Sequence, residues 1–375
     1  MKILGIESSC DETAAAIVEE TGEPMRPWRV RSNVIASQVA IHREWGGVVP
    51  ELASRQHLRD ICGVAERALE DAAVDWRDVD AIAATQGPGL VGSLLVGFSF
   101  AKAAAATLDV PFVPVHHLAG HIESLVLEHG ELPYPASILV VSGGHTSLYL
   151  VPVAGTYELV GRTRDDAAGE AYDKVAKLLG LGYPGGPIID ELAKQGNELA
   201  IEFPVARLTH RDRNPAPPVR LPKGFEKALQ YRTDFSFSGL KTAVLRYVKK
   251  RAAAQGAEPG VDGSPRTLFS DRDIADICAS FQRAVIEALL DRTFDAARWH
   301  NARSVGIAGG VSANSRLRTV AAARGEKAGL PVFVPSLKLA TDNAAMIAAA
   351  GLRRFHQGVA APLSLNAHAN LVLGP

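Results

Sequence analysis

Ser137-Ile138-Leu139-Val140-Val141-Ser142-Gly143-Gly144-His145-Thr146-Ser147-Leu148-Tyr149-Leu150-Val151 is an apolar run, a polar turn with two adjacent glycines, and a second apolar run. It reads as strand, tight turn and strand. Adjacent glycines at such a turn let the backbone come close to a ligand and aim N–H groups at an anion. The chain opens the same way. Residues 2–6 are apolar, Glu7-Ser8-Ser9-Cys10-Asp11-Glu12-Thr13 forms a polar turn, and Ala14 to Val18 is apolar again. The two units, 3–18 and 138–153, read as one repeat used twice, as a duplicated fold requires. The first turn carries the hydroxyls of Ser8 and Ser9 at its tip and three carboxylates; it faces a phosphate or a metal-linked ligand, or is simply a solvated turn.

A third glycine turn follows the strand Ser304 to Ala308. Gly309-Gly310-Val311-Ser312-Ala313-Asn314-Ser315 leads into a helix over Arg316 to Ala328, the strand-end arrangement that holds nucleotides. No Gly-x-x-x-x-Gly-Lys-Ser/Thr sequence occurs, so phosphates would be held by the hairpin turns. With 375 residues the chain exceeds one ordinary core, and two lobes are expected. A nucleotide clamped between two lobes by glycine turns is what an actin-like, sugar-kinase-like α/β ATPase fold would give.

His117 and His121 stand four apart, at the start of a helix that follows the strand Pro111 to Val115. That spacing stacks two imidazoles on one helix face, where they can hold a divalent metal; two exposed polar residues at a helix start are the competing reading. The protease motif His-Glu-x-x-His is absent, because Leu118 follows His117. A third ligand is offered by Asp342, in Thr341-Asp342-Asn343-Ala344, where it either caps the next helix or completes a two-histidine, one-carboxylate set. Such a set suits Fe(II), and Zn(II) fits a similar one.

Elsewhere the pattern gives a strand over Arg29 to Gln38, a helix over Leu52 to Ala73, a strand over Asp80 to Thr85, and a helix over Leu90 to Leu108 that is apolar almost all round and therefore buried. A helix near Ile188 to Gln195 carries Asp190 in its first turn, and Ile274 to Trp299 is a long amphipathic helix. Residues 204–235 are rich in Pro, Arg and His and read as a basic surface loop; 252–268, rich in Ala, Gly and Pro, read as an insertion. Net charge is −1, so any nucleic-acid surface must be local or supplied by a partner. The three cysteines, Cys10, Cys62 and Cys278, are widely spaced, which argues for a reducing compartment. No signal peptide or apolar run of transmembrane length is read, and a cytoplasmic location with no membrane contact is expected.

Gly5-Ile6-Glu7-Ser8-Ser9-Cys10-Asp11-Glu12-Thr13, His117-x-x-x-His121, Val141-Ser142-Gly143-Gly144-His145-Thr146, Gly169-Glu170-Ala171-Tyr172-Asp173-Lys174, Phe235-Ser236-Phe237-Ser238-Gly239-Leu240-Lys241, Gly310-Val311-Ser312-Ala313-Asn314 and Thr341-Asp342-Asn343-Ala344-Ala345-Met346 occur in order over nearly the whole chain. Together they resemble the TsaD/Kae1/Gcp family in its bacterial form. The resemblance implies a two-lobed actin-like/sugar-kinase-like (ASKHA) fold of duplicated RNase H-like domains. The lobes would be 1–115 with 341–375, and 116–340, with surface insertions near 206–232 and 252–268. It implies transfer of a threonylcarbamoyl group from threonylcarbamoyl-AMP to N6 of adenosine 37 in tRNAs reading codons that begin with A. His117, His121 and Asp342 would bind one metal, Fe2+ in the family's usual assignment, with Zn2+ an alternative. Val140, Val141, Ser142, Gly143, Gly144, Asp173, Gly186, Asp190 and Asn314 would bind the adenylate. A TsaB-like paralogue and a TsaE-like ATPase are implied as partners, with a homodimer expected in their absence. Asp11 and Glu12 are candidates for receiving the amine's proton or positioning the adenosine, and His145 for a place beside the metal or substrate. The competing functions are a small-molecule kinase or ATPase of the same fold, a metal-dependent glycoprotease, and a non-enzymatic scaffold, which needs none of these polar turns.

Overall fold

The computed structural model describes residues 1–205, 233–254 and 269–374. The expected insertion at 206–232 lies outside them, as do residues 255–268 of the second insertion; residues 252–254 are the end of a helix. In chain order the first sheet contains β1 (Lys2–Glu7), β2 (Glu12–Glu20), β3 (Trp28–Ser37), β4 (Ala81–Gly87) and β5 (Phe112–His116). Helices α1 (Val39–Arg43), α2 (Pro50–Ala72) and α3 (Val91–Leu108) interrupt it, and α4 (His117–His129) follows β5 directly. The second sheet contains β6 (Ala136–Val141), β7 (Thr146–Val151), β8 (Glu158–Arg162), β9 (Ser304–Ala308) and β10 (Val332–Phe333). Between β8 and β9 lie α5 (Ala168–Leu178), α6 (Gly185–Ala193), α7 (Ser238–Ala254) and α8 (Asp271–Trp299); α9 (Ser315–Ala328) precedes β10. The helices α10 (Leu337–Ala340) and α11 (Ala344–His356) end the regular structure.

The first sheet has strand order β3-β2-β1-β4-β5, and the second, read from its other edge, β8-β7-β6-β9-β10. In both, three consecutive strands are followed by two that arrive through helices. The expected duplication is therefore present at the level of topology. β1 pairs antiparallel with β2 and parallel with β4, and β6 pairs parallel with β9.

The chain divides into unit 1 (Met1–Tyr134, Val151–Glu158, Phe333–Pro375) and unit 2 (Pro135–Leu150, Leu159–Val332). These bounds differ from the expected 115/116 and 340/341. In unit 1 the strands β1, β2, β4 and β5 alternate their side chains between two covered faces. Ile3, Ala14, Ala16, Val18, Ala83 and Val115 face α11, while Leu4, Ile6, Ala15, Ile17, Ile82 and Phe112 face α2 and α3. The helix α4 packs closely on α11: a Cβ on Gly120 would stand 2.8 Å from Ile347 Cδ1. Its residues His117 to Val126 are all buried, which is why the histidine segment belongs to unit 1.

The helix α3 corrects two expectations. Its Leu94, Phe98, Ala101 and Ala105 form a buried stripe, but Val91 and Leu95 are exposed, so it is covered on one side only. By length and composition its 18 residues suffice to cross a membrane, contrary to the expectation that no run reaches that length; 39% of that span is buried inside the protein. Asp190 is also displaced from its expected place: α6 begins at Gly185, so Asp190 lies beyond the first turn.

In unit 2 the segment after residue 232 is anchored by Asp165. Its carboxylate accepts hydrogen bonds from Ser236 Oγ (2.5 Å), Phe237 N (2.8 Å), Ser238 N (3.3 Å) and Ser238 Oγ (2.9 Å), so it fixes the start of α7. Burial raises its pKa, but those hydrogen bonds to the charged form outweigh it and hold Asp165 below its ordinary 3.8.

Packing and charge each give an expected outcome. A Cβ on Gly5 would lie 2.5 Å from Ala344 O and 2.7 Å from Ala348 N, both backbone atoms that cannot give way, whereas one on Gly63 in α2 meets nothing within 4 Å. Gly5→Ala should cost about 1–3 kcal/mol in urea unfolding, and Gly63→Ala should stabilise by about 0.5–1 kcal/mol. Because the folded pKa of Asp165 is depressed, its contribution is present above 3.8 and is lost as pH falls through the lower folded value. The stability gap between wild type and Asp165→Asn should be level in neutral solution and close below 3.8, measured by unfolding across pH.

Candidate functional site

β5 ends at His116, and the chain turns directly into α4. His116 is the cap: its Nδ1 accepts the Leu118 N–H at 3.1 Å, and its Nε2 is 3.2 Å from Leu371 O. That leaves His117 and His121, one turn apart, to face the same way. Their rings meet edge to face with centroids 4.8 Å apart. Asp342 Oδ1 lies 3.2 Å from His121 Nε2 and 3.5 Å from His117 Nε2.

Asp342 is not the cap of α11. Asn343 is: its Oδ1 accepts the Met346 N–H at 3.0 Å. Of the two roles open to Asp342, capping is thereby filled by its neighbour.

The three donor groups fit a metal ion. One ligand atom from each of His117, His121 and Asp342 lies within 4.8 Å of the others, and no other such group occurs among the described residues. Ligands about 2.0–2.2 Å from a shared metal stand roughly 3–3.5 Å from one another, which matches both carboxylate-to-imidazole spacings. His121 is fully buried, yet neither of its ring nitrogens has a hydrogen-bond partner. An imidazole so placed is costly unless something electrophilic meets it.

Glu7, in sequence only one of the turn's carboxylates, has a specific task in the structure. It is completely buried at the end of β1, accepts a hydrogen bond from Thr85 Oγ1 at 2.7 Å, and lies 3.0 Å from His117 Nδ1. A carboxylate accepts only, so Nδ1 carries the proton and Nε2 is turned towards Asp342. Burial works against a charge on His117, but Asp342 and Glu7 outweigh it and raise its pKa to about 9. Burial likewise raises Glu7, and His117 brings it below the ordinary value.

The hydroxyls of the first turn point inward. Ser8 Oγ donates to Ser93 O at 2.8 Å, and Ser9 Oγ is 3.2 Å from His117 Nδ1. Asp11 and Glu12 follow them, with Glu12 within electrostatic reach of Asp11 and Asp342. Burial, then Asp11 and Asp342, raise Glu12 well above the usual carboxylate range. Beneath the turn, His57 Nε2 is 3.0 Å from Cys10 O, and its Nδ1 is 2.8 Å from Thr13 Oγ1.

The expected nucleotide-side residues lie in unit 2. Ser142 N donates to His145 O at 2.8 Å and closes the turn between β6 and β7. Gly143 and Gly144 are exposed, and a Cβ on either would meet nothing within 4 Å; Gly186 is equally open. Val140 and Val141 are core residues with no exposed surface, so only their backbone can serve the turn. Asp173 accepts the Gly185 N–H at 2.7 Å and ties α5 to the start of α6. His145 is in this turn and not in the histidine–aspartate group.

Asp190 and Asn314 are brought together by a residue with no signal in the sequence. Gln282, buried in α8, donates to Asp190 Oδ1 at 3.1 Å and accepts from Asn314 Nδ2 at 2.7 Å and from Tyr172 OH at 3.4 Å. Asp190 also accepts from Ser315 N (3.0 Å) and Ser315 Oγ (2.9 Å), while Asn314 caps α9 through Leu317 N (2.9 Å). The glycine turn after β9 and the start of α9 are thus fixed by one buried polar chain.

The family model described as TsaD, tRNA N6-adenosine threonylcarbamoyltransferase, matches residues 29–349. The tRNA N6-adenosine threonylcarbamoyltransferase of Koribacter versatilis is 50% identical over 390 residues, covering 99% of this chain and 98% of that protein. The one of Moorella thermoacetica is 49% identical over 371 residues, covering 99% and 97%. Among solved structures, full-length HypF in its phosphate- and nucleotide-bound form shares the fold. It has a TM-score of 0.53 and 14% identity, over 94% of this chain and 55% of that one.

If Glu7 sets the His117 tautomer, Glu7→Gln should keep the shape of the site and weaken metal binding. The expected loss is about 10–100-fold, measured by competition with a chromophoric chelator for Zn2+ or Co2+.

Proposed function

This chain belongs to the TsaD family of tRNA N6-adenosine threonylcarbamoyltransferases, and from that membership we propose how its residues divide the reaction. It is an acyltransferase of actin-like (ASKHA) fold that forms N6-threonylcarbamoyladenosine in tRNA. The donor in this proposal is threonylcarbamoyl-AMP and the acceptor is adenosine 37 of tRNAs reading codons that begin with A. The observation that carries the proposed division is the convergence of His117, His121 and Asp342, with Asp342 Oδ1 3.2 Å from His121 Nε2 and no hydrogen bond at either His121 ring nitrogen.

The reaction forms a bond from N6 to the carbamoyl carbon and breaks the bond from that carbon to a phosphate oxygen, releasing AMP. The acceptor amine is weak, because its lone pair is delocalised into the adenine ring, so orientation and charge stabilisation must supply the rate. A divalent metal, Fe2+ or alternatively Zn2+, supplies Lewis acidity when bound by His117, His121 and Asp342. Glu7 holds His117 in the ligating tautomer. Asp11 takes the proton lost from N6, and Glu12, hydrogen-bonded to Asp11, steadies it.

In unit 2 the open backbone of Gly143 and Gly144 meets the adenylate phosphate through its N–H groups, and Ser142, whose own N–H closes the turn, holds that backbone in place. Asp173, Gly186, Asp190 and Asn314 hold the nucleoside, with Gln282 setting the last two. Val140 and Val141 act by fixing the turn. A TsaB-like paralogue and a TsaE-like ATPase complete the system, a homodimer forms in their absence, and the reaction takes place in the cytoplasm without a membrane. No observation favours the kinase, glycoprotease or scaffold readings over membership of this family.

The test is a transfer assay with unmodified tRNA, labelled threonine, ATP, bicarbonate, an adenylate-forming enzyme and both partners. Wild type should label adenosine 37; His117→Ala should lose at least two orders of magnitude in rate, and Asn314→Ala should raise the KM for the donor. Equal labelling by wild type and His117→Ala would remove the triad from the reaction while leaving the activity in place.

A further inference from the structure

We propose that the solvent face of α7 is a docking surface for the phosphates of the tRNA substrate. Ser238–Ala254 contains Lys241, Arg246, Lys249, Lys250 and Arg251 and no carboxylate, in a chain whose net charge is −1. The helix buries Leu240, Val244, Val248 and Ala252, one residue per turn. At 100° per residue, Arg246 points directly away from that stripe, and Thr242, Lys249 and Lys250 flank it; all four are exposed.

Other helices in unit 2 pair most of their arginines with carboxylates. In α8, Arg272 pairs with Asp276, Arg283 with Glu287 and Arg298 with Asp295. In α9, Arg316 pairs with Glu198 and Arg324 with Asp291. On α7 Arg251 reaches Asp273, but Arg246, Lys249 and Lys250 form no ion pair among the described residues. Like charges three and four residues apart on a helix repel. Gathering three of them where neighbouring helices interleave carboxylates makes a local positive strip.

The start of this helix is fixed by the four hydrogen bonds to Asp165, so the strip is presented by a rigid element. A polyanion is the complementary partner, and tRNA is the polyanion on which the family acts. The inference rests on that activity and adds a surface to it. Cations that meet phosphates set affinity and salt dependence without reading bases.

The experiment compares the full chain, with its partner proteins, as wild type, Arg246→Ala/Lys249→Ala/Lys250→Ala, and Arg55→Ala/Arg59→Ala as a control at exposed positions of α2. Binding of unmodified tRNA is followed by fluorescence anisotropy from about 50 to 300 mM salt, where phosphate binding weakens steeply. The α7 variant should bind about tenfold or more weakly at low salt. Its log–log salt slope should be flatter by about 2–3, roughly one for each phosphate left without its cation. Its KM for tRNA should rise by the same factor, while the KM for the donor and the rate at saturating tRNA stay near wild type. Wild-type affinity and slope in the α7 variant, or a weakening no larger than the control's, would overturn the proposal. So would intact tRNA binding with loss of a partner protein, which would make the strip a protein interface. A wild-type chain that neither binds nor modifies tRNA would overturn the functional reading itself.

Discussion

The close approach of α11 to β1 is the constraint on which unit 1 depends. A helix that brings Ala344 and Ala348 onto the sheet can do so only over a residue without a side chain, and Gly5 is that residue. The same helix lies against Gly120 of α4. With both approaches made, the segment just before α11 is held over the first turn of α4, and Asp342 meets His117 and His121. The ligand geometry is thus inherited from backbone packing, and Glu7 and Asn343 refine it by fixing one imidazole and by filling the helix cap.

The two sheets share one strand order but carry different chemistry at equivalent turns. The turn between β1 and β2 is acidic and turned inward, with Ser8, Ser9 and Glu7 spent on the interior. The turn between β6 and β7 is glycine-rich and open, with backbone rather than side chains on offer. One suits the support of a cation site and a proton acceptor, and the other suits an anion.

Most of this is legible in residue order because it is local. The glycine turns follow apolar runs, and the histidine pair has helical spacing at a strand-to-helix junction. What is not legible depends on residues distant in sequence. Glu7 looks like any turn carboxylate until Thr85 and His117 are seen to close over it. Gln282 is one polar residue in a 29-residue helix, and only folding brings Asp190 and Asn314 to it. Composition cannot resolve the cap at 341–343, since Thr, Asp and Asn all cap helices. The allegiance of α4 is hidden for a related reason: it follows β5 without a break, but what it packs on lies beyond residue 343.

That discontinuity bears on how the protein is made. Unit 2 lies wholly within the sequence of unit 1, apart from the short return at Val151–Glu158. During synthesis the sheet of β1 to β5 emerges early and can be covered on one side by α2 and α3. Its other side, with Ile3, Ala16, Ala83 and Val115, meets only the end of α4 and lacks its main cover until Ala344 to Leu352 leave the ribosome. The nascent chain therefore carries a largely uncovered apolar sheet face through the translation of unit 2, when it is open to aggregation and a natural client for a chaperone. The group of His117, His121 and Asp342 shares that schedule, since the two histidines wait for Asp342. An ion held by these three residues would act only as a late lock on an almost finished chain.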